Sequence, residues 1–463
     1  MKLTIVGGGG FRVPDVYRAL LADAGSPRIT QVWLYDVGAD RLEAVRAILA
    51  SAARRAVLAG ADAASIPEVH ATTDLDAALS DADFVFSAIR VGGLAGRVAD
   101  ERVALALGLL GQETVGPGGI SYGLRTVPVM TAIAERIAAV APRAVLINFT
   151  NPAGMITEAL QRVLGDRAVG ICDTPSGLGR RIAAGLGIDP REVQLDYAGL
   201  NHLGWLRRVL HHGVDLLPQV LADDALLGSL EEGAVFGVDA LRTLGNIPNE
   251  YLYYYYCNRD AVPAILERPR TRGEQLVVDQ ADFFSRVRGA ADPWQLWQDT
   301  SAARSATYMA EAKPDDHVAD AEDSPFQGDD GYAGVALSVM RAVARDEPAT
   351  LILNVRNGGT IPGMPADAVV EVPVRVSAQG MVTQQVTQPD LHQLGLMQQL
   401  KACERYTIDA ALSGSRTQAE KAFALHPLVQ SLPRARALLD GYTREVPEVA
   451  AALAASSGAA HTC

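Results

Sequence analysis

Four consecutive glycines, Gly7-Gly8-Gly9-Gly10, follow the apolar run Lys2–Val6 (KLTIV) and precede a helix-like stretch from about Pro14 to Ala24. Glycine at a strand–helix junction lets the backbone approach a pyrophosphate, whose charge sits at the helix N-terminus. Gly7 and Gly9 fit the first two positions of a GxGxxG fingerprint, but Arg12 stands at the third, so the motif alone is equally an ordinary tight turn. The next apolar run, Gln31–Tyr35 (QVWLY), ends in Asp36. An acid there would bind ribose hydroxyls and favour NAD over NADP; its bland alternative is a surface turn residue. Five further segments concentrate polar chemistry: Arg90–Arg97 (RVGGLAGR), Gly111–Gly119 (GQETVGPGG), Asn148–Gly154 (NFTNPAG), Cys172–Gly177 (CDTPSG) and Gly199–Trp205 (GLNHLGW). A loop that only connects elements has no need of Gln, Glu, Asn, Asp, Cys and His at successive strand ends, so these are candidates for holding substrate.

Residues so placed need a scaffold, and the N-terminal part of the chain supplies an alternating one. Helices are expected around Ala39–Ala59 and Leu75–Leu79, and strands near Val69–Ala71, Asp83–Ile89, Ala144–Ile147 and Ala168–Ile171. Such alternation implies a parallel sheet with right-handed crossovers and ligands at the carboxyl ends of the strands. Beyond about residue 195 the pattern changes. Leu195–Leu200, Leu203–Val214, Thr350–Arg356 and Ala368–Val374 read as strands of a mixed sheet, and residues 391–413 and 415–441 as long amphipathic helices. The expected fold is therefore α/β: a Rossmann-type NAD-binding domain over 1–195, then a mixed α+β domain over 196–463. The tail Ala451–Cys463 is expected to fray.

Composition excludes several classes. The 463 residues are 49% hydrophobic and 21% charged, as in ordinary globular proteins. With 54 Asp+Glu against 41 Lys+Arg the net charge is −13, which lacks the basic footprint of a nucleic-acid binder and gives no attraction to an anionic membrane surface. The glycines interrupt the N-terminal apolar run too early for a signal peptide, and no run is long enough to cross a bilayer. Four scattered cysteines (Cys172, Cys257, Cys403, Cys463) form no disulfide framework, so a reduced, cytoplasmic protein is expected.

Taken in order, GGG near the start, RVGGxxxR, GQETxGPGG, NxxNP, CDxP, GLNHxGW and PNxY resemble the NAD- and Mn²⁺-dependent glycoside hydrolases of family 4. The resemblance continues through Asn357-Gly358-Gly359, VVEVP (369–373) and LMQQLKACERYTIDA (396–410), and so covers almost the whole chain. It implies an architecture like that of lactate and malate dehydrogenases, a homodimer or homotetramer, and a mechanism that departs from the usual pair of glycosidase carboxylates. NAD⁺ would oxidise C3 of the sugar, Mn²⁺ or another divalent metal would polarise the ketone, and a tyrosinate would remove the C2 proton. Elimination, water addition and re-reduction would complete hydrolysis with no net oxidation.

The resemblance assigns roles by position. Gly7, Gly8, Gly9 and Asp36 would bind NAD. Cys172 and His202 would hold the metal, although thiolate is soft for Mn²⁺; their bland readings are an inert buried thiol and a structural histidine. Tyr251 of Pro248-Asn249-Glu250-Tyr251 would be the base, with Tyr253, Tyr254, Tyr255 and Tyr256 as alternatives if the register slips. Asp173 would protonate the leaving oxygen, its alternative being a helix N-cap before Pro175. Arg97, Asn151 and Arg272 would hold substrate. Arg272 suits a sugar phosphate through its forked donors, unless Arg268, Arg270 and Arg272 form a solvated basic turn.

The first loop departs from the family's GGGSxxTP: Phe11-Arg12 stands where hydroxyls are usual. The anomeric signals also conflict, since CDxP resembles the 6-phospho-α-glucosidase branch and RVGGxxxR the 6-phospho-β-glucosidase branch. A 6-phospho-β-glucoside is the favoured substrate. The alternatives are a 6-phospho-α-glucoside, an unphosphorylated α-glycoside, dehydrogenation of a 2-hydroxy acid, and an NAD-dependent sensor without catalysis.

Overall fold

β1 (Lys2–Val6) is buried along all but its first residue, so both of its faces must be covered. The computed structural model describes residues 1–309, 312–313 and 331–454 and places β1 inside a parallel block. With β2 (Gln31–Tyr35), β3 (Glu68–Thr72), β4 (Phe84–Ser87), β5 (Val145–Asn148) and β6 (Ala168–Ile171), the order is β3-β2-β1-β4-β5-β6, every neighbouring pair parallel. That is the strand order of a dinucleotide-binding unit, as expected. The strand period of two splits its side chains between two cores. Leu3, Ile5, Val32 and Leu34 pack with α1 (Val13–Ala22) and α2 (Ala39–Leu58). Val6, Val85 and Leu146 face the opposite core.

Two long helices, α3 (Gly93–Leu105) and α4 (Pro117–Val140), separate β4 from β5 where the alternation predicts one crossover. The α4 helix was illegible because Gly118, Gly119, Gly123 and Pro128 all disfavour a helix interior, and burial of its first turns overrides them. GQETVGPGG consequently lies between two helices, not at a strand end. α5 (Ala153–Leu164) and α6 (Thr174–Gly185) follow β5 and β6.

The sheet does not stop at β6. It continues antiparallel through β7 (Val193–Leu200), β8 (Leu203–His211), β9 (Val214–Asp215), β10 (Ile247–Pro248), β11 (Ala349–Arg356), β12 (Val369–Ser377) and β13 (Gly380–Thr383), in the order β6-β11-β12-β7-β8-β10 with β9 and β13 flanking β8 and β12. The division expected at 195/196 falls within β7. Pairing aligns Gly170, Asn354, Glu371 and Gly199 in one row that joins the parallel block to its extension. The stretch 415–441 is two helices, Arg416–Leu425 and Leu432–Glu445. Pro427 lacks an N–H and forces His426 extended (ψ 133°), which ends the first. Ala451–Ala454 do not fray but close the helix Pro447–Ala454; the remainder of the tail, with Cys463, lies outside the described residues. No described helix is long and apolar enough to cross a membrane.

α3 and α4 are clamped by a bidentate, fully buried ion pair. Arg125 donates to Asp100 at 2.8 and 2.6 Å, its Nε donates to the Val91 carbonyl at 2.9 Å, and Tyr442 donates to the Asp100 carbonyl at 2.9 Å. Removing one partner strands a buried charge. Asp100→Asn is expected to lower unfolding free energy by about 3–5 kcal/mol in urea titrations, with the guanidinium left uncompensated.

Candidate active site

Gly7 follows β1 with φ +94°, a conformation L side chains rarely adopt, and a Cβ there would lie 2.6 Å from the Ala88 carbonyl oxygen. At Gly9 a Cβ would press on Arg41 and on Asp36, whose Oδ2 accepts the Gly9 N–H at 3.0 Å. The other Asp36 oxygen accepts the Gly38 N–H at 3.1 Å. Asp36 is therefore no free surface turn residue: it ties the end of β2 to the glycine loop. Gly7, Gly9, Gly10 and Asp36 line a cavity of about 850 Å³. Gly8 does not. Its N–H donates to the Tyr35 carbonyl at 2.7 Å and a Cβ would collide with Leu34 at 2.7 Å, so it serves the packing of the loop on β2. Gly7, Gly9 and Gly10 leave the loop without side chains where it lines the cavity before α1, which fits the approach of a dinucleotide phosphate.

The same cavity collects Arg97, Asn151, Cys172, Asp173, His202, Tyr251 and Arg272. Cys172 and Asp173 come from the end of β6. Asp173 occupies the N-cap position of α6, yet its side chain makes no capping bond and its Oδ2 is buried without a hydrogen-bond partner. Burial raises its pKa, opposed first by Arg12. His202 sits at the β7–β8 turn with φ +63°, and its imidazole lies flat on the Tyr251 ring at 4.0 Å and 13°. Burial lowers the His202 pKa to about 4, so the ring is neutral and has a lone pair to give near neutral pH.

Cys172 is held protonated by burial and by the charges of Glu371, Asp173 and Glu250. A thiol among carboxylates, with a neutral imidazole lining the same cavity, is a donor set that a divalent cation suits and that lacks its counter-charge without one.

The tyrosine run resolves by contact. Tyr251 and Tyr254 line the cavity, whereas the Tyr256 hydroxyl accepts from Trp205 Nε1 at 3.0 Å and Tyr255 packs by His426. Tyr251 is the one stacked on His202. Burial and then Glu250 push its phenol above the ordinary range, while the Tyr308 hydroxyl pulls it back. Tyr308 also donates to Glu250 Oε1 at 3.2 Å, as Thr174 does at 2.9 Å. Burial with Glu232 and Glu231 raises Glu250 to about 8.

Arg272 opens the helix Arg272–Val287 half-buried, and donates to Thr307 Oγ1 at 2.6 Å and to the Arg304 carbonyl at 2.8 Å; Arg268 and Arg270 are exposed at the rim. Arg97 is buried and paired with Glu101 at 2.9 Å and Glu113 at 2.7 Å. Asn151 Oδ1 accepts the Ala153 N–H at the start of α5.

Three contributors have no role assigned by the sequence motifs, and a fourth, Arg12, stands out there as the departure at the first loop. Arg304, in the helix Pro293–Ala306, projects into the cavity, and its charge is disfavoured by burial and by Arg12, Arg272 and Arg97. Nothing in SAARSA marks it. Arg12 is buried against Asp15, Asp173 and Tyr332 rather than free to meet a ligand alone. Glu113 is ion-paired with both Arg90 (2.5 Å) and Arg97. Glu371, in the middle of β12, accepts from Asn201 at 3.1 Å, Asn354 at 2.8 Å and Tyr197 at 3.2 Å; a lone acid in a valine strand (VVEVP) was its available signal.

The sequence profile of family 4 glycosyl hydrolases matches residues 2–188, and that of the family's C-terminal domain matches residues 197–429. The chain is 32% identical over 449 residues to a probable 6-phospho-beta-glucosidase of Bacillus subtilis, covering 95% of each. It is 31% identical over 462 residues to a 6-phospho-alpha-glucosidase of Leptotrichia buccalis, covering 95% of this chain and 96% of that one. It superposes on the 6-phospho-beta-glucosidase of Thermotoga maritima, solved with manganese, NAD⁺ and glucose-6-phosphate, with a TM-score of 0.81 and 27% identity over 97% and 99% of the two chains.

The ion pairs of Glu113 make an acid-sensitivity test. Against burial, Arg90 and Arg97 lower its pKa to about 2. A depressed carboxyl contributes stability above its unfolded pKa of about 4.3, lost as pH falls toward 2. Urea titrations across pH 2–7 should find Glu113→Gln less stable at pH 7 by about 3–5 kcal/mol, with a shallower stability loss between pH 4.5 and 2 than the parent.

Proposed function

The chain belongs to family 4 of the glycosyl hydrolases, and from that premise we propose that it hydrolyses a 6-phospho-glucoside, with the β-anomer as its substrate and NAD and Mn²⁺ as its cofactors. The observation that carries this reading is the convergence of Cys172, Asp173, His202 and Tyr251 on one cavity that the glycine loop also lines. The relatives named above act on 6-phosphorylated glucosides, and the Thermotoga maritima structure holds manganese, NAD⁺ and glucose-6-phosphate.

Gly7, Gly9 and Asp36 would hold the dinucleotide, and Cys172 with His202 would hold the metal. Bound there, the two supply reversible oxidation at C3 of the sugar and polarisation of the carbonyl so formed, which acidifies the C2 proton. Tyr251 takes that proton on its phenol oxygen. Its pKa, raised by burial, requires positive charge nearby, and stacking on His202 sets it against a residue expected to hold the metal. Asp173 gives its proton to the leaving glycosidic oxygen. Its buried, raised pKa suits a group that must arrive protonated, and the absence of a capping bond leaves the carboxyl free for that work. Water then adds at C1.

The phosphate would lie against Arg272 and Arg304. Arg304 carries a charge that three neighbouring guanidiniums oppose and Glu113 only partly offsets, so a phosphate dianion relieves a repulsion already present. The 6-phospho-α-glucosidase reading rests on a different observation, Asp173 within CDTP and the Leptotrichia buccalis relative.

Nitrophenyl α- and β-glucosides, with and without 6-phosphate, assayed with NAD⁺ and Mn²⁺, test the proposal. Turnover of the 6-phospho-β-substrate without NADH accumulation is expected; steady NADH build-up overturns it, and preference for the α-substrate assigns the other anomer. Tyr251→Phe should lower kcat by about 10²–10⁴-fold. Arg304→Gln should raise KM for the phosphorylated substrate by about 10–100-fold, the loss of one charged hydrogen bond, and leave the unphosphorylated glucoside nearly unaffected.

A further inference from the structure

We infer that Glu192, His211 and His212 form a second divalent-metal site, specific for the zinc class of ions, at the β7–β8–β9 corner outside the cavity. Their donor atoms (one imidazole nitrogen each and a carboxylate oxygen) all lie within 4.8 Å of one another. None of the three lines the cavity.

The backbone brings them together by local rules. β8 and β9 are joined by the two-residue loop His212-Gly213, with φ +48° and +81°, closing the pairs His211↔Val214 and Leu210↔Asp215. Positive φ at both positions is the type I′ hairpin, for which Asn, Asp or Gly at the first position is the usual choice. Adjacent strand residues point to opposite faces. Here the turn instead brings the two imidazoles to 4.1 Å between centroids. Glu192 ends the short 3₁₀ turn Pro190–Glu192 capped by Asp189, and the next residue, Val193, pairs with His211 across the ladder. All three backbones are thus fixed relative to one another before any ion arrives.

The donor chemistry selects the ion. His211 Nε2 is buried without a hydrogen-bond partner, at 3.5 Å from Glu192 Oε2. Ligands about 2.0–2.1 Å from a tetrahedral Zn²⁺ stand about 3.3–3.4 Å apart, so this pair already has a metal-ligand separation. The exposed His212 and Glu192 side chains can close the remaining gap by small torsions, leaving one position for water. Two imidazoles with one carboxylate suit Zn²⁺, Ni²⁺ or Cu²⁺ better than Mn²⁺ or Mg²⁺. The adjacent Arg191 is engaged by Asp189 at 2.5 and 3.0 Å, which offsets its charge.

The test uses the full-length Cys172→Ser protein, which removes the proposed catalytic thiol ligand and makes the result independent of the proposed function. Calorimetric titration with ZnCl₂ is expected to show one equivalent bound. In Cys172→Ser/His212→Asn that equivalent should weaken at least tenfold, because Asn keeps the left-handed turn while the imidazole is lost. His211→Gln should do the same. The single variant His212→Asn should keep the glycosidase rate and thermal stability of the parent, which separates loss of a ligand from loss of fold. Absence of Zn²⁺ binding in Cys172→Ser, or binding that His212→Asn and His211→Gln leave unchanged, overturns the inference.

Discussion

Burying the Glu371 carboxylate costs free energy that its hydrogen bonds must offset, and those bonds come from Asn201, Asn354 and Tyr197. Burial raises its pKa to about 7 despite all three. The donors lie on the β7–β8 turn, β11 and β7, so one side chain fastens the antiparallel extension to the strand beside β6. Cys172 leaves from the end of β6 and His202 follows Asn201. The separation of these two residues therefore depends on a row of main-chain pairing, Gly170–Asn354–Glu371–Gly199, in which glycine at both ends admits the crowded side chains between them. A Cβ at Gly170 would lie 2.3 Å from Thr157 Oγ1, and one at Gly199 2.2 Å from the Gly204 Cα.

A second constraint is electrostatic. The chain is acidic as a whole, but one wall of its cavity gathers Arg12, Arg97, Arg272 and Arg304. Glu113 and Glu101 restrain part of this charge. Around Cys172 stand the acids Glu371, Asp173 and Glu250. Basic and acidic clusters thus sit close together in a buried region, where low dielectric magnifies both. An anionic substrate group and a metal cation therefore have distinct places to go, and bulk charge decides neither.

The parallel block was readable because each strand is a short apolar run ended by glycine or a polar loop, and Gln31–Tyr35 and Ala168–Ile171 fall on their expected bounds. The α4 helix was not, since its N-terminal turns are made of glycine and proline and only tertiary burial makes them helical. In the site, motif order brought together residues from four separate segments that no periodicity links. Gly8 shows the limit of motif reading: its neighbours Gly7 and Gly9 face the cavity while it packs on Leu34. Arg304 shows the converse, a cavity residue on an ordinary-looking helix. What escaped the sequence are the counter-charges, because a partner such as Glu113 is defined by what surrounds it in space.

The bond from the Gly9 N–H to Asp36 Oδ2 carries a consequence for engineering. In many dinucleotide folds the acid after the second strand is the residue exchanged when cofactor preference is redesigned, on the assumption that it only reads the ligand. Here the same carboxylate also braces the first loop and the entry to α2 through Gly38. A carboxylate already committed to two backbone amides is part of the scaffold, so a swap at this position disturbs the cradle whatever else it changes. A successful redesign has to graft in a replacement acceptor for two backbone amides.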